Sequence, residues 1–134
     1  MLLENSKINK TPKTADGKLP IHYACQSGDL NMVKFLVNSS NINEGFDKQN
    51  LTPLHIASKY GHEKIVLFLL KQKDIKINAT ASITEGVFTT IYKIQFKNLT
   101  PLHMACQSGN VNVVNLLISK PTISINAVSV FSYF

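Results

Sequence analysis

The segment NLTPLHIASKYGHEKIV that starts at Asn50 is written again, as NLTPLHMACQSGNVNVV, from Asn98, and LPIHYACQSGDLNMVKFLV from Leu19 matches both position by position. Three copies of one motif constrain the fold more than composition does. Each copy is one local unit, and the apolar surface it cannot bury alone must be buried against the next. The motif histidines His22 and His55 stand 33 residues apart, whereas His55 and His103 stand 48 apart, so 15 extra residues separate the second and third copies. An Ile-Asn pair follows each copy, ending at Asn43, Asn78 and Asn126.

Within a copy the residue order predicts a short helical hairpin. Thr52 and Thr100 can cap a helix whose first turn accepts Pro53 or Pro101, because the N–H that proline lacks has no partner there. Leu54, Ala57 and Ser58, like Leu102, Ala105 and Cys106, recur at helical spacing, and the small residues let a neighbouring helix approach closely. Gly61 or Gly109 ends this helix with a turn. A second helix follows in Ile65, Val66, Phe68, Leu69 and Leu70, apolar around most of its circumference, as a helix between neighbours must be. One such hairpin buries too little surface to offset its ordering entropy, so the copies are expected to stack.

The 33-residue period and the T-P-L-H-x-A core of PIHYACQSGDLNMVKFLV, TPLHIASKYGHEKIVLFLL and TPLHMACQSGNVNVVNLLI resemble the ankyrin repeat family. The resemblance covers most of the chain and implies an all-α repeat solenoid of helix-turn-helix units joined by hairpin loops. It implies one domain over 1–134: a partial repeat over 1–15, repeat 1 over 16–46, repeat 2 over 47–79, an insertion over 80–95, repeat 3 over 96–127 and a tail over 128–134. Two positions depart from the family pattern. Asn50 and Asn98 stand where the first copy has Gly17, and asparagine tolerates positive φ well enough to keep the turn. Leu19 replaces the capping threonine, which costs copy one about 1 kcal/mol and makes it the looser repeat.

LLENSKIN at Leu2–Asn9 aligns with LVNSSNIN at Leu36–Asn43, as the tail of a preceding repeat would. The other end, AVSVFSYF after Asn126, is apolar and has none of the polar capping helix that such stacks use for solubility. Both features lead to the expectation of a piece of a longer array rather than a stack closed by a degenerate stub. Between Asn78 and Asn98, ATASITEGVFTTIYKIQFK is dense in β-branched residues, with Phe88, Tyr92, Ile94 and Phe96 at even positions. Glu85-Gly86 can turn the chain, so the stretch reads as a β-hairpin that extends a loop. It is either a finger that grips a partner or an insertion tolerated at a loop tip, where its removal would leave the helices intact.

His22 with Cys25 and His103 with Cys106 share a helical face, yet two ligands do not make a metal site. Helices of neighbouring repeats pack about 8–10 Å apart, which leaves copies one and three about 20 Å apart, too far to share an ion. The same separation excludes a Cys25–Cys106 disulfide, whose Cα atoms must lie within about 7 Å, so both cysteines are expected to be reduced core residues. The family resemblance gives His22, His55 and His103 a structural hydrogen bond within the turn. No glycine-rich phosphate loop, nucleophile elbow or paired carboxylates occur, so neither catalysis nor a cofactor is expected. Asp29 and Glu63 stand at the starts of second helices, where a carboxylate complements the helix dipole.

What remains is recognition by surface, the role the resemblance implies. The formal charge of +6 comes from 14 lysines with no arginine, which removes the side chain best suited to bidentate contact with phosphate or guanine and makes nucleic acid a poor partner. No run of about 18 apolar residues occurs, and MLLENSKINK lacks the apolar block of a signal peptide, so an intracellular, cytoplasmic protein without a membrane segment is expected. Mapped residue by residue, the partner face comprises the hairpin tips Lys18, Lys48, Gln49, Lys97 and Leu99 and the helix positions Gln26, Ser27, Lys59, Tyr60, Gln107 and Ser108. Copy two alone has Lys-Tyr where the others have Gln-Ser, and an aromatic flanked by lysine can anchor a protein partner. Phe88 and Tyr92 of the insertion are further contact candidates. The alternatives are that the activity, an enzyme or a channel, lies in a larger protein outside these residues, or that the repeats are a structural spacer.

Overall fold

The structure is a computed structural model that describes residues 12–86 and 93–133. Each copy forms two short antiparallel helices: α1 Pro20–Ser27 and α2 Leu30–Leu36, α3 Pro53–Lys59 and α4 Glu63–Leu70, α5 Pro101–Gln107 and α6 Val111–Ile118. Helices of seven or eight residues are below the length that is stable alone in water, so capping and packing must hold them. Thr52 and Thr100 cap α3 and α5 through their hydroxyls, while Leu19 has no side-chain cap to offer α1. Only the His22 half of the reciprocal cap remains there, with the Leu19 N–H donating to His22 Nδ1 at 2.8 Å. Gly28, Gly61 and Gly109 close the first helices at positive φ.

First helices pack in the order α1, α3, α5 and second helices in the order α2, α4, α6. The core follows this stacking, with Ile21, Leu54, Val33, Val66, Leu69 and Leu117 all fully buried. Two asparagines tie the copies along the loop side. The Asn43 amide donates to the Asp74 carbonyl at 2.6 Å and accepts from the Lys76 N–H at 2.8 Å. Asn78 repeats the arrangement one copy on, with the Thr122 carbonyl and the Ser124 N–H, both at 2.8 Å.

Beside the helices the structure has a three-stranded sheet, of which the sequence leads one to expect only the hairpin. Strands β1 Ala81–Gly86 and β2 Lys93–Leu99 form an antiparallel pair, and β3 Val130–Tyr133 joins the other edge of β2. The expected hairpin is therefore present, but Glu85 and Gly86 do not turn it: they pair with Ile94 and Lys93 inside the ladder. Ala81 pairs with Leu99 and Ile83 with Phe96, a one-residue slip that marks a bulge on β2. Asn98 supplies it at φ 59, and Asn50 adopts φ 57 at the tip before copy two, as the glycine position requires.

The base of the insertion is core rather than loop tip, since Ala81, Ile83 and Leu99 are all buried. The Ser82 N–H donates to the Gln49 carbonyl at 2.7 Å and the Asn50 amide to the Thr80 carbonyl at 3.1 Å, which fasten the hairpin to copy two. Within residues 128–134, Val130–Tyr133 forms a third strand that the sequence reading did not expect. Cys25 is buried as expected, but Cys106 is exposed, because among the described residues no further helix covers the outer side of α5. Phe88, Tyr92 and the partial repeat at Leu2–Asn9 lie outside the described residues.

Candidate protein-binding surface

The motif histidines hold turns together. Thr52 donates to His55 Nδ1 from its N–H at 3.2 Å and its hydroxyl at 2.7 Å, so Nδ1 is the acceptor and Nε2 carries the proton. Nε2–H then donates to the Leu99 carbonyl at 2.9 Å. His22 does the same one copy earlier, accepting from Leu19 and donating to the Glu44 carbonyl at 2.7 Å. Burial disfavours the imidazolium at both rings, lowering His22 and taking His55 from the ordinary 6.5 down to about 4. His103 accepts from the Thr100 N–H at 3.0 Å and lies in a less buried setting. Burial pushes the Cys25 thiol up to about 12, which keeps it protonated and unreactive. Among the described residues no group of three or more His, Cys, Asp or Glu could hold a metal ion.

The predicted surface residues divide into those the fold gathers and those it scatters. Lys18, Gln26, Ser27 and Tyr60 line one concavity of about 920 Å³, together with Pro20, Tyr23, Asp29 and Met32. Lys48, Lys59, Lys97, Gln107 and Ser108 are exposed but outside it, and Gln49 is half-buried. Leu99 is only 6 % exposed, so its side chain belongs to the core, and its carbonyl accepts from His55. Ser27 and Ser108 turn their hydroxyls back onto the carbonyls of Ala24 and Ala105.

Tyr23 is the residue that sequence reasoning missed. It follows the motif histidine, where the other copies have buried Ile56 and Met104, and it is 48 % exposed, as is Tyr60. A polar-tipped aromatic at that position was the available signal. The Lys18 ammonium lies 5.4 Å from the Tyr23 ring centre and 3.6 Å from an Asp16 carboxylate oxygen. Tyr60 has Lys59 Nζ 5.9 Å from its ring centre and the His62 ring stacked 6.3 Å away. His62 is itself anchored to copy one through its ring nitrogen and the Gln26 carbonyl at 2.9 Å. Two half-exposed aromatic rings from adjacent copies thus share one recess with cations beside them, a combination that suits contact with apolar and acidic groups.

Comparison with known proteins agrees with the stacked hairpins. A model of ankyrin repeats in three copies matches residues 1–81, and a single ankyrin repeat model matches residues 97–130. The interval between the two matches, 82–96, holds most of β1 and the first half of β2. A stretch of 64 residues is 41% identical to human transient receptor potential cation channel subfamily A member 1, covering 45% of this chain and 6% of that protein. Another of 55 residues is 38% identical to the ankyrin repeat protein FPV223 of Fowlpox virus (strain NVSL), covering 40% of this chain and 39% of that one. The chain spans less than half the length of either relative. With family models matching both sides of the hairpin and most of the sequence, the chain belongs to the ankyrin repeat family.

Proposed function

We propose that this chain is a non-catalytic protein-interaction module, an ankyrin solenoid that takes a protein partner on the recess shared by copies one and two. The observation that carries the reading is the pair Tyr23 and Tyr60, each 48 % exposed on the same concavity of about 920 Å³. Such rings lose few rotamers on binding and bury much apolar area, which makes them good anchors. Lys18 and Lys59 beside them, with Lys48 and Lys97 exposed at the hairpin tips, favour a partner carrying acidic and apolar groups. No helix among the described residues is long and apolar enough to cross a membrane, and the family is generally one of interaction modules. Affinity capture followed by mass spectrometry tests the reading, run with the native chain and with Tyr23→Ala/Tyr60→Ala as baits. A partner retained by the first and lost by the second supports it; one held equally by both, with the fold intact, refutes this surface.

The channel relative favours a second reading, in which the repeats serve inside a larger protein whose activity lies elsewhere. Reading the coding sequence on both sides of this segment separates the two.

A further inference from the structure

Copy two differs from its neighbours at two linked places. Between the first and second helix the copies read Ser27-Gly28-Asp29, Tyr60-Gly61-His62 and Ser108-Gly109-Asn110, so the aromatic residue and the histidine occur together and in one copy of the three. Asp29 and Asn110 cap the helices they precede, accepting from the Met32 N–H at 3.0 Å and the Val113 N–H at 3.1 Å. His62 occupies the same N-cap position and makes no such bond to α4, although capping is what short polar side chains are favoured for there.

The ring is used across the joint between copies one and two instead. A carbonyl oxygen only accepts, so Nε2 carries the proton in the 2.9 Å bond to Gln26, near the end of α1. The imidazole lies over Gly28, where a Cβ would come within 2.8 Å of it, and it stacks on the Tyr60 ring, 6.3 Å away between centres and within 12° of parallel. At the next joint Asn110 also bridges, donating to the Gly61 carbonyl at 3.4 Å while it caps α6. Bridging therefore needs no ring, and capping is better served without one. What histidine adds is a flat surface fixed to copy one and laid against Tyr60.

We propose that His62 is the positioning residue for the Tyr60 anchor: bonded to Gln26 and backed by Gly28, it holds the phenol ring in one orientation before a partner arrives. This deepens the protein-binding reading of the recess and rests on it. A ring that is already ordered loses less freedom when it is buried, and that gain shows as slower dissociation. Because His62 acts through Tyr60, it has no effect on binding once that ring is gone.

The test uses His62→Asn, which gives copy two the cap residue of copy three, with His62→Asp, the residue of copy one, as the second variant should the first not fold. In proton NMR of the chain without partner, Tyr60 should show unequal Hα–Hβ couplings and nuclear Overhauser contacts to the His62 ring, and the couplings should average in the variant. Against the purified protein that the native bait retains, His62→Asn should bind about fivefold more weakly through faster dissociation, with association within about twofold of native. It should add no loss to that of Tyr60→Ala. Tyr60 couplings alike in native chain and variant, native affinity in the folded variant, or a loss that persists in full in the Tyr60→Ala background would overturn the proposal and leave the recess reading standing. Native affinity in Tyr60→Ala would overturn both.

Discussion

The imidazole of His55 donates from Nε2 to the carbonyl oxygen of Leu99 at 2.9 Å, across 44 residues of sequence. This bond joins the first helix of copy two to the base of β2, on the far side of the inserted hairpin. The same ring accepts from Thr52, so one neutral side chain fixes a helix start and the strand that returns the chain to copy three. Replacing it by alanine leaves the buried Thr52 N–H and the Leu99 carbonyl short of a partner. His55→Ala should therefore lower stability by about 1–3 kcal/mol in urea unfolding.

Acid should act through the same residue. Its folded value of about 4 lies below the ordinary 6.5, so between those values the unfolded chain binds the proton more readily and stability falls as pH falls. Stability from this group is complete above about pH 6.5 and is lost progressively toward pH 4, on the order of 3 kcal/mol in all. Burial lowers His22 as well, which adds loss in the same direction. Unfolding free energies of the native chain and His55→Ala measured at pH 7 and pH 5 should differ in slope, the variant showing the flatter dependence.

Much of this was legible in the sequence because it is local. Thr-Pro starts, glycine stops and the positive φ of Asn50 and Asn98 each depend on a few neighbouring residues, and the starts and turns are stated twice and the glycine stops three times. The hairpin's β character was legible as well, but its turn was not, since Glu85-Gly86 is as compatible with a strand end as with a turn and pairing decided between them. Strand β3 escaped because a strand is defined by its partner, although Ile-Asn-Ala at Asn126 repeats Ile-Asn-Ala at Asn78 just before β1. Cys106 was misplaced because exposure depends on what lies beside a copy and periodicity treats every copy alike, whereas Leu99 was placed at a tip although its counterpart Leu51 is buried as it is. Tyr23 went unremarked because its position is core in the other two copies.

Ser58 offers a test of the packing between copies. Its hydroxyl is fully buried with no hydrogen-bond partner among the described residues, at the place of Cys25 and Cys106 in the other copies. A stranded polar group costs about 1–3 kcal/mol. Ser58→Cys should thus raise the urea midpoint, by about 1 kcal/mol of stability, with no change in the far-UV spectrum.

The hairpin base should prove structural. Ile83 is buried against the repeats, so Ile83→Ala should cost about 2–4 kcal/mol, and deletion of residues 80–95 at least as much. Thermal melting followed at helical wavelengths checks this. An unchanged transition in the deletion would return the whole insertion to the status of a dispensable loop.

Two glycines separate backbone strain from contact between copies. Gly109→Ala meets open space at φ 72 and should cost about 1–2 kcal/mol. Gly28→Ala, at φ 84, would also push against the His62 ring and its bond to the Gln26 carbonyl, so it should cost at least about 1 kcal/mol more. Chemical unfolding of the two variants side by side gives the difference directly.

The recess of Tyr23 and Tyr60 is tested most directly by surface plasmon resonance against the captured partner at two salt concentrations, with Tyr60→Ala and Lys48→Ala beside the native chain. Tyr60→Ala should weaken binding by about 1–2 kcal/mol, mainly through faster dissociation, because the ring holds the partner. Lys48→Ala should slow association and flatten its salt dependence while leaving dissociation nearly unchanged. Unchanged affinity in a correctly folded Tyr60→Ala would contradict the account and move the contact to another face of the stack.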